Sequence, residues 1–119
     1  MDAKEYLRSL KLLDTRIVQR SKQLKDIERR RSYINSLGGG DPDFEVIENI
    51  KAEILQCESR RNEIIGKIQS SDDHKFIQVL YKRYVEYKPF EQIAAELGYS
   101  RSYTLTLHRN ALDALQGML

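Results

Sequence analysis

The chain has 119 residues, no tryptophan, six glycines and two prolines, and it carries 32% charged against 40% hydrophobic residues. That balance belongs to helical, highly solvated proteins, and the length allows one small domain carried on an extended element. A single cysteine, Cys57, and two widely separated histidines, His74 and His108, exclude an internal disulfide framework and a metal-ligand cluster, so neither a metal nor another cofactor is expected.

No window approaches eighteen apolar residues and the N-terminus lacks a long apolar core. The expectation is therefore a cytoplasmic chain with no membrane contact. Net charge is only +2 but unevenly spread. Residues 1–37 carry ten Lys/Arg and five Asp/Glu, residues 38–71 four and seven, and residues 72–119 six and six. The first two segments are electrostatic complements.

From Ala3, positions spaced alternately three and four apart read Ala3, Tyr6, Leu10, Leu13, Ile17, Arg20, Leu24, Ile27, Arg31 and Ile34. This is the narrow apolar seam of a coiled coil. The run "SLGGGDPDF" stops it, with Asp41 as a helix cap and Pro42 suited to a first helical turn. A second helix repeats the spacing through Ile47, Ile50, Ile54, Cys57, Arg61, Ile64 and Ile68. Folded back antiparallel, the helices pair apolar layers such as Leu24 with Cys57 and Ile17 with Ile64. The same register sets Arg20 opposite Arg61, which requires solvent exposure or acids from a partner, because unpaired buried guanidinium groups cost several kcal/mol, roughly. Residues 1–70 are thus expected to form a helical hairpin that serves oligomerisation or docking, with Cys57 as a small buried hydrophobe. The first helix outreaches the second, so Tyr6, Leu7 and Leu10 need cover from the C-terminal module or from another subunit.

After the capped start "SSDDH", the stretch "KFIQVLYKRYVEY" places Phe76, Ile77, Leu80 and Tyr84 on one face, with Val79 beside them. Pro89 opens a very short helix, "PFEQIAAELG", with Ile93, Ala94 and Leu97 inward. Gly98 suits the left-handed residue that ends it, and Ser100 suits the cap of the next helix. The segment 71–119 is therefore expected to be a small helix-turn-helix domain. In its last helix Thr104, Leu107, Ala111, Leu112 and Leu115 face inward, and Arg101, Ser102, Leu105, Thr106, His108 and Arg109 face outward. The whole chain is expected to be all-α, an antiparallel two-helix coiled-coil hairpin followed by this domain.

The exposed N-terminal half of such a second helix fits the major groove of double-stranded DNA, while surrounding turns hold phosphates. The stretch "LYKRYVEYKPFEQIAAELGYSRSYTLTLHRNALDAL" resembles region four of bacterial housekeeping sigma factors, through a leucine-rich helix, an E-x-I-A-x-x-L-G-x-S-R corner and an A-L-x-x-L tail. That resemblance covers Phe76–Leu115. Together with "MDAKEYLRSLKLLD" and the charged hairpin, the chain resembles small phage-encoded regulators of the ArpU and RinA type. The resemblance implies an activator of phage or prophage late genes, acting at the nucleoid of a bacterial host, with RNA polymerase as a second contact.

Carried over by position, the resemblance implies base and phosphate contacts at Arg101, Ser102, Leu105 and Thr106, with Arg109 nearby. Tyr103, Lys88 and Arg83 complete the candidate DNA-binding set. Ser102, Leu105 and Thr106 depart from the acidic, basic and amide side chains of sigma factors, so a different sequence is expected to be read. Leu105 and the Thr106 methyl suit thymine methyl groups, and Arg101 suits guanine or a phosphate. The neutral balance of residues 72–119 predicts weak binding by one copy, since phosphate neutralisation supplies much of DNA affinity. Clustered cations, a homodimer or RNA polymerase would make up the difference.

A phage DNA-packaging subunit and a coiled-coil adaptor without DNA contact are the competing readings. An enzyme is not expected, because no acid pair or nucleophile-base set has suitable spacing, and "LGGGD" lacks the strand and lysine of a phosphate loop.

Overall fold

In the computed structural model, which describes residues 2–38 and 43–119, every regular element is helical. Helix α1 runs Ala3–Ser36 and α2 runs Phe44–Gln69; α3 (His74–Leu80) continues into a π-helical turn, Tyr81–Val85. Helices α4 (Phe90–Leu97) and α5 (Arg101–Gln116) follow. The expected cap at Asp41 and the first-turn role of Pro42 lie outside the described residues. The chain divides into two compact units: Leu12–Arg61, and the segments up to Lys11 and from Asn62 to Leu119.

Within Leu12–Arg61, Ile27, Ile47 and Ile50 are buried together, with Leu24 and Ile54 packed against them. Each expected seam position from Leu13 to Ile34 and from Ile47 to Arg61 is at least partly shielded from water, and Cys57 is buried. The three-four spacing therefore picks out the more shielded face of each helix. The arginines depart from expectation. Arg20 pairs with Glu53 at 3.1 Å, and Arg61 pairs with Asp14. The acids come from the chain itself, because Asp14 and Glu53 flank the seam within reach of a long guanidinium side chain.

In the other unit the first turns of α1 supply core. Ala3, Tyr6, Leu7 and Leu10 are buried, as are Ile64 and Ile68, and the Ala3 amide donates to Gln116 Oε1 at 2.6 Å. The N-terminal apolar face thus has its cover in this chain, and no second subunit is needed for it. The remaining core comes from Val79, Leu80, Tyr84, Ile93, Ala94, Leu107, Ala111 and Leu115. Thr104 is fully buried, and its hydroxyl donates to the Ser100 carbonyl at 2.9 Å. Leu112, expected inward, is only partly buried.

The expected single helix through Tyr87 is shorter than its pattern. The Glu86 amide donates to the Tyr81 carbonyl and the Lys88 amide to that of Lys82, which widens the last turn. Tyr87 then takes φ +58°, left-handed although it is not glycine, and the chain reverses into Pro89. Pro89 itself occupies the cap position of α4, one residue before the first helical turn.

Candidate nucleic-acid interface

The corner is built from local chemistry. Gly98 ends α4 at φ +73°, a conformation that costs an L side chain about 1–2 kcal/mol and glycine nothing. Two residues later Ser100 caps α5, its Oγ accepting from the Tyr103 amide at 3.1 Å. At the other end of the module Asp73 caps α3 by accepting from the Lys75 amide at 2.9 Å. The N-terminal half of α5 therefore projects from a turn that is held at both sides, by the glycine that ends one helix and the serine that caps the next.

Along α5, Arg101, Ser102, Thr106 and Arg109 are exposed on one face, with Leu105 half-buried at its edge. The opposite face is the buried row Thr104, Leu107, Ala111 and Leu115. Tyr103 lies on the flank, exposed, its ring edge-to-face with Tyr99 at 4.9 Å between centroids. Lys75 reaches the same place from α3, with Nζ 3.4 Å from the Tyr103 hydroxyl and 5.9 Å from the ring centre. This hydrogen bond is the main reason the Lys75 ammonium is held charged above its ordinary range. Tyr99 and Lys75 are the members of this surface that sequence reasoning missed. Only packing joins Lys75 to Tyr103, twenty-eight positions away, and no local pattern announces it.

The cations are unevenly available. Arg101 Nε bonds Glu91 Oε1 at 3.1 Å, in a pair that is largely exposed. The Glu91 carboxyl is held below its usual range, first by a bond from its own backbone amide and then by Arg101. Lys88 pairs with Glu96 at 2.7 Å and Glu86 at 3.4 Å, and Lys82 shares Glu96 at 3.2 Å. The two lysines lower the Glu96 carboxyl, and Glu96 in turn raises Lys88. Arg83 donates to the Lys88 carbonyl at 3.1 Å and lies over the Phe90 ring at 4.2 Å. Arg83 and Lys88, read as part of the candidate DNA-binding set, are thus both engaged within the module, Lys88 by acids and Arg83 by a carbonyl and a ring. Arg109 makes no ion pair among the described residues.

His108 faces inward, contrary to expectation. Its Nε2 is 2.8 Å from the Tyr84 hydroxyl, and its ring meets that of Phe90 edge-on at 4.9 Å between centroids. Burial, followed by the positive fields of Arg83 and Lys4, lowers its pKa to about 4. A half-buried imidazole that is neutral at physiological pH brings no charge to a phosphate, and its observed contacts are with Tyr84 and Phe90.

An exposed recognition face that starts at a capped helix N-terminus, carries two arginines and small hydroxyl side chains, and rests on a rigid apolar back can enter a major groove. Among the described residues there is no group of acids, histidines and cysteines able to hold a metal, and no helix is long and apolar enough to cross a membrane. Comparison with curated proteins and with solved structures gives no match. Residues 74–117, from the start of α3 to the end of α5, match the family model described as Sigma-70, region 4, and this segment is a helix-turn-helix DNA-binding module of that family.

Proposed function

We propose that the protein is a sequence-specific, DNA-binding transcription regulator of the phage ArpU and RinA type, activating late genes of a phage or prophage in the bacterial cytoplasm and touching RNA polymerase as it does so. The observation that carries the reading is the exposed row Arg101, Ser102, Thr106 and Arg109 on a helix capped at Ser100, inside the segment that matches Sigma-70, region 4. In this reading Arg101 and Thr106 contact base edges, Arg109 contacts backbone, and no reaction is catalysed.

A homodimer remains part of the proposal, on narrower grounds. The apolar start of α1 is covered within the chain, so the case rests on the neutral charge of residues 72–119 and on the gain from two linked contacts. Light scattering at micromolar concentration is expected to give twice the chain mass; a monomer that binds its operator fully contradicts it. The function itself is tested by sequencing the fragments that the purified protein retains from sheared phage DNA and placing them before a reporter gene. Activation that depends on the protein supports the reading. Retained fragments that never respond contradict it and favour the packaging role.

A further inference from the structure

A groove of about 400 Å³ is lined by Leu7, Arg8 and Lys11 of α1 and by Arg83, Tyr84 and Tyr87. Three of its six lining residues are cationic, two are tyrosines and none is acidic. Arg8 is exposed and makes no ion pair among the described residues. Arg83 is held in place by the Lys88 carbonyl and the Phe90 ring, so its remaining N–H donors are already oriented. The groove also depends on two local features. The π-helical turn shifts Tyr84 inward, and the left-handed Tyr87 folds the chain back beside it. Strained backbone of this kind costs on the order of 1–3 kcal/mol and concentrates where a ligand is held.

The groove's position indicates what fits it. Its wall residue Tyr84 bonds His108, the residue before Arg109, which ties the groove to a side of α5 about a quarter turn from the centre of the exposed row. An α-helix with its side chains is about 10–12 Å across and a major groove about 12 Å wide. Each flank of an inserted helix therefore meets a wall of phosphates. We propose that this groove is a second DNA contact, which takes a phosphodiester of the duplex backbone between Arg8 of α1 and Arg83 of the π-helical turn, with Lys11 at its edge. The proposal rests on the DNA-binding reading above and extends it to a part of the chain outside the matched segment.

An acidic peptide is the other class of ligand for such a surface. It is less favoured because the single aliphatic wall, Leu7, is fully buried and provides no pocket for an apolar anchor. The phosphate also accounts for the otherwise puzzling charge. Within the module Lys82, Lys88 and Arg101 are engaged by the module's own acids. Cations delivered by the start of α1 add phosphate contacts that residues 72–119 lack by themselves. The positive fields of Arg83 and Lys4 at His108, and of Arg83 and Arg8 at Tyr84, converge on the same place.

Salt-dependent binding of the full chain to a short random-sequence duplex tests this without knowledge of the operator, since counterion release is independent of sequence. Arg8→Gln, at an exposed position where folding should be unaffected, is expected to reduce the slope of log affinity against log salt by about 0.9, one phosphate, and affinity by about fivefold at 0.15 M salt. Arg8→Lys, which keeps the charge, should restore most of the slope. Lys25→Gln, an exposed change on the distal part of α1, should leave it unchanged. A folded Arg8→Gln protein with the wild-type slope overturns the proposal, and so does an equal loss in Lys25→Gln, which would signal net charge alone. Unchanged DNA binding with lost reporter activation would assign the groove to an acidic protein segment instead, also overturning it. A wild-type protein with no salt-dependent duplex binding would remove the DNA reading itself, an outcome distinct from the others.

Discussion

The Tyr84 hydroxyl and His108 Nε2 lie 2.8 Å apart, and the two rings stack with centroids 5.7 Å apart. This pair ties the π-helical turn to the middle of α5, and so links that helix to the element that precedes the corner. Because burial holds His108 neutral, with a pKa of about 4 against an ordinary value of about 6.5, the link depends on pH. Above pH 6.5 the imidazole is neutral in both states. As pH falls towards 4 the unfolded chain takes up a proton that the folded chain refuses, so stability drops through that window and not below it. Denaturant midpoints measured across pH 4–7 should show this loss in wild type, and the difference from His108→Gln should vary across the same window. Parallel curves would contradict the assignment.

Gly98 has open space where a β-carbon would stand, with nothing within 4 Å of that position, so only its φ of +73° constrains the choice of residue. Gly98→Ala should therefore cost about 1–2 kcal/mol, the left-handed penalty, with Asn losing less. Thermal denaturation of both variants checks this. An Ala variant as stable as wild type would mean that the corner adjusts its backbone.

Glu91 pairs with Arg101 at the start of the exposed row of α5. Exposed ion pairs contribute little to folding, and a carboxylate there opposes an approaching phosphate. Glu91→Gln should leave the melting temperature unchanged and tighten binding to random and operator duplexes alike, by a few-fold at low salt. Weaker binding would show that Glu91 positions Arg101 for DNA rather than restraining it.

Features set by spacing along one helix were legible in the sequence. The seams of α1 and α2, the Gly98 turn, the Ser100 cap and the inward row from Thr104 to Leu115 all follow from local periodicity and capping chemistry. What required the structure was the joining of distant segments. Nothing in "LYKRYVEY" announces the wide turn at Tyr81–Val85, and no glycine marks the left-handed residue at 87. His108 sits at the boundary between the two faces of α5, where periodicity is indifferent. Tyr84 and Phe90, brought by other elements, decide that it turns inward. The partners of Arg20 and Arg61 escape a pattern that follows only the seam, because the acids concerned, Glu53 and Asp14, lie off it. The exposed row of α5 follows from helical spacing, whereas Lys75 at Tyr103 and the groove that Arg8 and Arg83 both line are products of packing.

The central claim is that α5 reads sequence, and the most direct measurement is the operator-to-random affinity ratio, with the operator obtained by selection from a random duplex library. Arg101→Ala and Thr106→Ala should each lower this ratio by about 1–3 kcal/mol, roughly 5- to 150-fold. Arg109→Ala should weaken both duplexes together and reduce the salt slope by about one. Folded Arg101→Ala and Thr106→Ala proteins that keep the wild-type ratio would contradict the assignment of α5 as the recognition helix.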